Sequence, residues 1–361
     1  MGSSAMGGSF KSTTYGSMKT PSLVRDPRIS LVREPTVEAN ISDLAVFQQP
    51  WWLEIAKRGE DYREFVVHKC GKIAGSLGFV VATNQVGNKL GFAPVWAHLG
   101  GPVLDRGLNR IERAEALRRL VVQLPRNISF KFVCNPGAND ADLIRQAFQR
   151  HGFEHHTETT YVQRSSDPDI LSRLSSKHRG HLKRAIRDLD VVQIDADTFI
   201  EFYRTNLKAA GKKSYASLET ARDLIAKGQE SNVQQVQVFA ARPRIGEPTL
   251  DAAIACAWDD KRYYLWLLTR RRLVDSSNRK PHGDAVKLLI YQATQHARSL
   301  DLVFDVDGAT TEGAKNLYDD VLKFPLVESR DVFIRDTRLY SFYKQLQPKF
   351  RAQSAKVKSG S

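Results

Sequence analysis

The sequence predicts an α/β protein with mixed sheets, built from two tandem units of similar structure. Its 361 residues exceed what one hydrophobic core usually organises. A pattern of helix, strand, glycine turn, helix and closing strand also occurs twice, at a period of 171 residues. Gly137 and Gly308 take the same place in the two copies, as do Phe153 and Phe324. We therefore expect two units that superimpose at these positions.

The elements of each unit are visible in the spacing of apolar residues. Apolar side chains recur at three- and four-residue steps over 114–124 and again over 285–296, which is typical of an amphipathic helix. The short polar segment 165–168 separates the two copies and predicts units at 18–165 and 166–347. Strands are predicted upstream of the helices, at 65–68, 74–81, 236–241, 252–258 and 262–268.

The ends of the chain and its cysteines indicate where the protein works. Residues 1–17 are rich in Gly and Ser and lack the apolar segment of a secretory signal, so we interpret them as an expression remnant. Residues 348–361 resemble a disordered tail, and no run of about 18 apolar residues suggests a membrane span. We expect a cytoplasmic protein with buried thiols at Cys70, Cys134 and Cys256.

The charge balance of the chain points to an anionic partner. Lys and Arg number 54 against 40 Asp and Glu, which gives a net charge of +14. Such an excess favours nucleic acid, a pyrophosphate or an acidic surface as the partner. The motifs of serine hydrolases, P-loop enzymes and dinucleotide-binding dehydrogenases do not occur in the sequence, so these classes lack support.

Four stretches, taken in order, resemble the Fem-type (FemABX) transferases and the wider GNAT acyltransferases. They are the aromatic and glutamine motif at 47–57, the Gly-Gly-Pro turn at 100–105, the basic helix at 176–187, and Gly283-x-Ala285 with the closing helix at 316–324. Two positions depart from the pattern. Gly100 replaces an arginine, and Lys280 stands where an Arg or Gln is usual.

The resemblance implies an enzyme that forms an amide bond from an activated acyl donor and an amine or peptide acceptor. Aminoacyl-tRNA is the preferred donor, because the charge suits a polyanion. However, Val321 stands where Fem-type enzymes carry a lysine that contacts the aminoacyl group, and Lys323 is the nearest substitute. An acyl-CoA or acyl-carrier-protein donor is therefore the rival. A non-catalytic protein that binds nucleic acid or glycan precursors is a further alternative.

Candidate catalytic residues are Asp105, His282 and Asp305. Asp105 follows the Gly-Gly-Pro turn and could act as a general base or orient the amine, although a turn aspartate has the same pattern. His282 precedes the turn at Gly283 and could be a base near neutral pH or an ordinary loop histidine. Asp305 and Asp307 alternate along a strand and point to one face. No metal and no permanently bound cofactor are expected.

Candidate binding residues form two sets. The predicted helix at 176–187 gathers cations on one face, which suits phosphate binding but also fits a solvated surface. The donor set comprises Lys177, Arg179, Lys183, Arg184, Gly283, Ala285 and Lys323. The acceptor set comprises Trp52, Lys57, Asp307 and Tyr318, of which the aromatic members are equally explained as core residues.

Overall fold

The computed structural model of the protein describes residues 44–135, 140–214, 216–246, 248–272, 280–309 and 311–341. The predicted expression remnant at 1–17 and the predicted tail at 348–361 lie outside these ranges. Gly137 lies outside them as well, so its match to Gly308 stays a prediction.

Twelve strands in the described ranges form one continuous mixed sheet. They are β1 Asp61–Lys69, β2 Lys72–Thr83, β3 Lys89–Phe92, β4 Val103–Leu104, β5 Ser129–Val133, β6 Glu154–Gln163, β7 Leu189–Gln193, β8 Val236–Pro243, β9 Ala252–Trp258, β10 Arg262–Arg270, β11 Val303–Asp305 and β12 Leu326–Arg335. Their order across the sheet is β1-β2-β3-β5-β12-β6-β11-β10-β9-β8-β7, and β4 pairs with β2. The pairs β3 with β5 and β10 with β11 are parallel.

The helices cover both faces of this sheet. They are α1 Pro50–Ala56, α2 Arg110–Val122, α3 Ala141–Arg150, α4 Ile170–Arg173, α5 Ser176–Asp188, α6 Ala196–Ala209, α7 Leu218–Gln229, α8 Ala285–Ser299 and α9 Glu312–Asn316. A π-helical turn, Leu317–Val321, continues α9. No helix in the described part of the chain is both long and apolar enough to cross a membrane.

The predicted element order is present twice, which confirms the α/β class and the two-unit architecture. In the first unit α2, β5, α3 and β6 follow one another, and in the second unit α8, β11, α9 and β12 do. Phe153 lies immediately before β6, and Phe324 lies two residues before β12. Both side chains are buried, as the repeat requires.

The two units exchange their closing strands. β12 pairs with β5 of the first unit on one side and with β6 on the other, and β6 pairs with β11 of the second unit. Each unit therefore contains a closing strand from the other. Phe333 of β12 packs in the core beneath α2 and α3, while Tyr161 of β6 packs in the core beneath α5 and α8.

A second core on the opposite face of the second unit also receives residues from the start of the chain. Helix α1 packs against α7, and Trp52 is completely buried beside Trp266 of β10. Residues near 44–57 thus cover the second unit, although they lie before the first strand of the first unit in sequence. This places the aromatic motif at 47–57 in a hydrophobic core.

The expectation of three buried thiols was wrong for one of them. Cys134 and Cys256 are free and buried, whereas Cys70 is free and exposed. Cys70 lies in the tight turn between β1 and β2 with a φ of 50°, so its side chain is outside the sheet. Burial raises the pKa of the Cys256 thiol to about 12, which keeps it protonated and unreactive.

Candidate functional site

The second unit opens where two parallel strands separate. β10 and β11 pair over three positions, from Arg262 with Val303 to Tyr264 with Asp305, whereas β10 continues to Arg270. The pairing of β10 with β9 also shifts register between Leu265 and Leu267, which turns the end of β10. We call the region where β10 and β11 part, from Asp305 to Gly308, the strand-divergence site.

Helix α8 begins beside this opening with an N-terminus that its own side chains leave uncapped. The side chain of its N-cap residue, Asp284, accepts no hydrogen bond from the backbone N–H groups of the first turn, and that turn contains no acidic residue. The Asp284 carboxylate is instead 2.6 Å from Lys287 Nζ and 3.4 Å from His181 Nδ1 of α5. A helix end of this kind offers backbone N–H groups and a partial positive charge to an anion.

The equivalent opening in the first unit is closed. Helix α2 has a complete capping box, in which Asn109 accepts from the N–H groups of Ile111 and Glu112 while Glu112 accepts from Asn109. The chain after β3 also returns to the end of β5, because the Gly100 N–H donates to Val133 O at 2.8 Å. Residues 93–99, which connect these two points, pack in the core beneath α1 and α7, so the two units differ at this position.

A buried ionic network lies at the strand-divergence site, on the sheet face opposite α8. The Asp305 carboxylate is completely buried and accepts from Arg262 at 3.1 Å and from Arg330 at 3.0 Å. Arg330 also donates to Asp307 at 2.8 Å, and Arg262 donates to Glu328 at 2.6 Å. Thr160 of β6 donates to Asp305, so strands from both units meet here.

Burial and charge act against each other in this network. Burial raises the pKa of Asp307, but His98 and Arg330 outweigh it and hold that pKa below the usual range. Burial likewise disfavours the charge of Arg330, but Asp305 and Asp307 more than compensate and raise its pKa. Both groups are therefore ionised at neutral pH, and each depends on the other to remain so in the interior.

His98 is the member of the network that sequence reasoning missed. Its Nδ1 atom contacts Asp307 Oδ2, and its side chain is 27% exposed while that of Asp307 is 2% exposed. The two residues are 209 positions apart in sequence. The one sequence signal was the place of His98 two residues before the Gly100-Gly101-Pro102 turn, which holds the segment against β5.

Asp105, a predicted catalytic residue, lies in a turn of the first unit. Its carboxylate accepts from the Gly107 N–H at 2.7 Å, and its own N–H donates to Ala74 O of β2. Among the described residues, none of its hydrogen bonds or ion pairs reaches His282 or Asp305. The local contacts are those of a turn aspartate.

His282, a second predicted catalytic residue, caps the loop before α8. Its Nδ1 accepts from the Asp284 N–H at 3.2 Å, and its own N–H donates to the buried Asp251 at 2.8 Å. Gly283 is exposed beside it, and Ala285 is buried as the first residue of α8. His282 therefore lies at the helix end, while Asp305 lies in the ionic network across the sheet.

The predicted basic helix is α5, and its cations have different surroundings. Lys177, Lys183 and Arg184 are exposed. Arg179 is half-buried, because its guanidinium donates to the carbonyl oxygens of Ser172 and Leu174. Helix α5 packs against α8, which brings the exposed cations to the same end of the second unit as the uncapped helix N-terminus.

The remaining predicted binding residues are scattered. Trp52 has no exposed surface to offer an acceptor, and the Lys57 ammonium lies 5.8 Å from the Tyr62 ring in the first unit. Tyr318 is buried in the π-helical turn close to Asp307, whose charge adds to burial in raising its pKa. Lys323 is half exposed beside Asp320, at 3.9 Å.

The described residues contain no cluster of three or more His, Cys, Asp or Glu side chains placed to hold a metal ion.

Comparison with known proteins identifies the fold. No protein-family model matches the chain, and no curated protein matches it. The crystal structure of FemX is similar, with a TM-score of 0.59, 12% identity, and coverage of 84% of this chain and 95% of that one. A conserved protein of unknown function from Bacteroides thetaiotaomicron has a TM-score of 0.52 and 11% identity, covering 83% and 93%. The resemblance to the Fem-type fold is thereby confirmed.

Proposed function

We propose that this protein is an acyltransferase that forms an amide bond, with the activated acyl donor held by the second unit. The observation that carries the proposal is the difference between the units. The second unit has an open strand divergence beside the uncapped N-terminus of α8, whereas in the first unit the chain after β3 returns to the end of β5 and α2 has a capping box. An anionic donor therefore has a place in the second unit alone. The similarity to FemX supports the same assignment.

The strand-divergence site suits a reaction in which the acyl donor and the amine acceptor approach from opposite faces of the sheet. Tyr263 packs in the core beneath α8, while the next residue, Tyr264, packs in the core beneath α1 and α7. We propose that the divergence of β10 and β11 beyond Tyr264 and Asp305 forms a passage that connects the α8 face with the face that carries Asp307. We propose that the donor anion lies at α8 and that its acyl carbon reaches the passage, where the acceptor amine meets it. Positioning and backbone N–H groups would supply most of the rate enhancement.

The donor we favour is aminoacyl-tRNA. The net charge of +14 and the exposed cations Lys177, Lys183 and Arg184 beside α8 suit a nucleic-acid backbone. An acyl-CoA or acyl-carrier-protein thioester is the second candidate, favoured by Val321 in place of the lysine of Fem-type enzymes. In both cases the donor is a co-substrate and no resident cofactor is required. We place the reaction in the cytoplasm, which the free cysteines support.

The decisive experiment follows loss of the donor. The protein is mixed with charged tRNA pools or with acyl-CoAs in the presence of added amines, and the remaining aminoacyl ester or thioester is measured. Acyl transfer from one donor class supports the proposal and identifies the donor. Tight binding of tRNA without loss of its aminoacyl group, together with intact thioesters, would show a binding protein instead.

The double variant Lys177→Glu, Arg184→Glu separates the two donors. If α5 follows a tRNA backbone, binding should weaken, and the slope of log K against log salt should fall by about one unit for each phosphate that α5 no longer neutralises. A thioester donor should show a small salt effect. The matched control is the double variant Lys212→Glu, Lys213→Glu, which makes an equal change in net charge in the exposed loop after α6. Equal effects of the two variants would assign the binding to net charge and not to α5.

A further inference from the structure

The segment 93–99, which connects β3 to the end of β5 in the first unit, places one histidine against the second unit. After β3 the chain runs through Trp96 and His98 before Gly100 rejoins β5. Trp96 anchors the segment, since its indole N–H donates to Ser217 O at 2.7 Å and its ring lies 6.2 Å from that of Trp266. His98 packs against the Phe47 ring at 5.5 Å and contacts Asp307.

Asp307 is fixed for this contact from three sides. Its carboxylate accepts from Arg330 at 2.8 Å, its own N–H donates to Asp305 at 2.8 Å, and its second oxygen meets His98 Nδ1. An ionised carboxylate can only accept hydrogen bonds, so His98 Nδ1 must carry a proton. In the neutral ring the lone pair is then on Nε2, and part of the His98 side chain remains at the surface.

Strained backbone lies at Asp307 and two residues before His98, at Trp96. Trp96 has a φ of 66° and Asp307 a φ of 59°, and neither is glycine. Such conformations cost on the order of 1–3 kcal/mol each and persist where the surroundings enforce them. Here the enforcing contacts are the buried ring of Trp96 and the double ion pair of Arg330.

We propose that His98 is the general base of the acyl transfer and that Asp307 positions it. The role rests on the proposed function and adds a residue to it from the first unit. The location fits, because Asp307 follows β11 where the strands part, so His98 lies beside the proposed passage through which the acyl carbon would be reached.

The step balances without any further reactant. The acceptor amine nitrogen attacks the acyl carbonyl carbon, a C–N bond forms, and His98 Nε2 takes the proton from nitrogen. The tetrahedral intermediate then collapses and breaks the C–O bond of an ester or the C–S bond of a thioester. The departing oxygen or sulfur receives that proton, which returns His98 to its neutral form.

The kinetic test uses His98→Asn, since the asparagine amide can still donate to Asp307 but has no basic nitrogen. We expect kcat to fall by about 10²- to 10⁴-fold with donor binding unchanged. The wild-type rate should fall at acid pH, because protonation of the imidazole removes the base. This fall should be absent in His98→Asn. The charged or titratable groups facing His98 are Asp307, Arg330 and Asp305, and Tyr318 lies near Asp307. All of these remain in the variant.

The matched control is His155→Gln. His155 Nε2 lies 2.7 Å from Asp331, and its side chain is 20% exposed, so the pair resembles that of His98. Asp331 follows Arg330 along β12, which places it on the other face of the sheet. The control should retain the wild-type rate and pH profile. A His98→Asn variant as active as the wild type would overturn the role of His98 while leaving acyl transfer intact.

A second measurement needs no donor. Long-range ¹H–¹⁵N correlation spectra of the histidine rings should show neutral His98 protonated at Nδ1 and not at Nε2 in the wild type. Asp307→Asn should redistribute that proton, because the ionised acceptor is gone. Protonation of His98 at Nε2 in the wild type would overturn the proposal. Absence of transfer from every donor would overturn the proposed function, and the role of His98 with it.

Discussion

At the residue scale, Arg330 is the buried cation that allows the carboxylates of Asp305 and Asp307 to remain ionised in the protein interior. Its guanidinium is 3% exposed and pairs with both Asp305 and Asp307. A buried ion pair of this kind adds little net stability compared with apolar residues, but removing one partner leaves an uncompensated charge in the interior. The network therefore specifies the geometry of the strand-divergence site more than it stabilises the fold.

We expect Arg330→Met to lower the free energy of unfolding by about 3–5 kcal/mol, since two buried carboxylates each lose one of their cationic partners. Denaturant unfolding followed by circular dichroism measures the change. The control, Arg187→Met, removes an arginine whose side chain is 74% exposed and pairs with Asp188 at the surface. It should leave the midpoint unchanged. Similar midpoints for wild type and Arg330→Met would contradict the description of this network.

The lowered pKa of Asp307 predicts a pH dependence of stability. Its pKa in the folded protein is below the ordinary value of 3.8, so the ionised group stabilises the fold at pH values above 3.8. That contribution is lost as the pH falls through the lower, folded-state value. The difference in unfolding free energy between wild type and Asp307→Asn should therefore be largest near neutrality and shrink below about pH 3.8. Asp260→Asn, at an exposed turn, is the control that should show no such trend.

At the scale of single elements, the two equivalent helices α2 and α8 show how local sequence separates a structural role from a binding role. Asn109 and Glu112 satisfy the N-terminal N–H groups of α2 from within the helix. Asp284 takes the same place in α8 but turns its carboxylate to Lys287 and His181. The first helix end is closed by its own residues, and the second is open to a ligand.

We expect Asn109→Ala to lower the free energy of unfolding by about 1 kcal/mol, because two N–H groups of α2 lose their acceptor. Asn109→Asp keeps the acceptor and should retain most of the stability. Both are measured by thermal or denaturant unfolding, and acyl transfer should be unchanged in each. A loss of activity in Asn109→Ala with normal stability would show that α2 contributes to the site after all.

At the scale of the whole molecule, the exchange of closing strands joins the two units into one structure. β12 lies between β5 and β6, so a unit that lost its partner would expose a long strand edge and part of its core. Unpaired edges and exposed apolar surface favour aggregation over independent folding. The predicted units at 18–165 and 166–347 describe the repeat in sequence, and the sheet crosses the junction between them.

We therefore expect a single cooperative unfolding transition with coincident fluorescence and circular dichroism curves. Fragments 44–165 and 166–341, produced separately, should each fail to give a cooperative transition and should regain one when refolded together. A fragment 44–165 that unfolds cooperatively on its own as a monomer would contradict this picture. Two resolved transitions in the intact chain would do so as well.

The sequence by itself determined the local elements and their repetition. The predicted helices at 114–124 and 285–296 correspond to α2 Arg110–Val122 and α8 Ala285–Ser299, and the strand at 74–81 corresponds to β2 Lys72–Thr83. These features are local, because apolar spacing and turn residues encode them within a short window. Because this pattern repeats, the sequence predicted two similar units, and its resemblances predicted a Fem-type fold.

The tertiary structure alone decided which residues meet. No local sequence pattern indicates that β12 inserts between β5 and β6. The same is true of the burial of Trp52 against the second unit and of the position of Asp105 in a turn of the first. His98 and Asp307 are 209 residues apart, and the alternation of Asp305 and Asp307 along a strand gave no indication that His98 would meet them. Their meeting depends on long-range strand pairing and on the path of residues 93–99. A short sequence window contains no information about such contacts, because they arise from the packing of the whole chain.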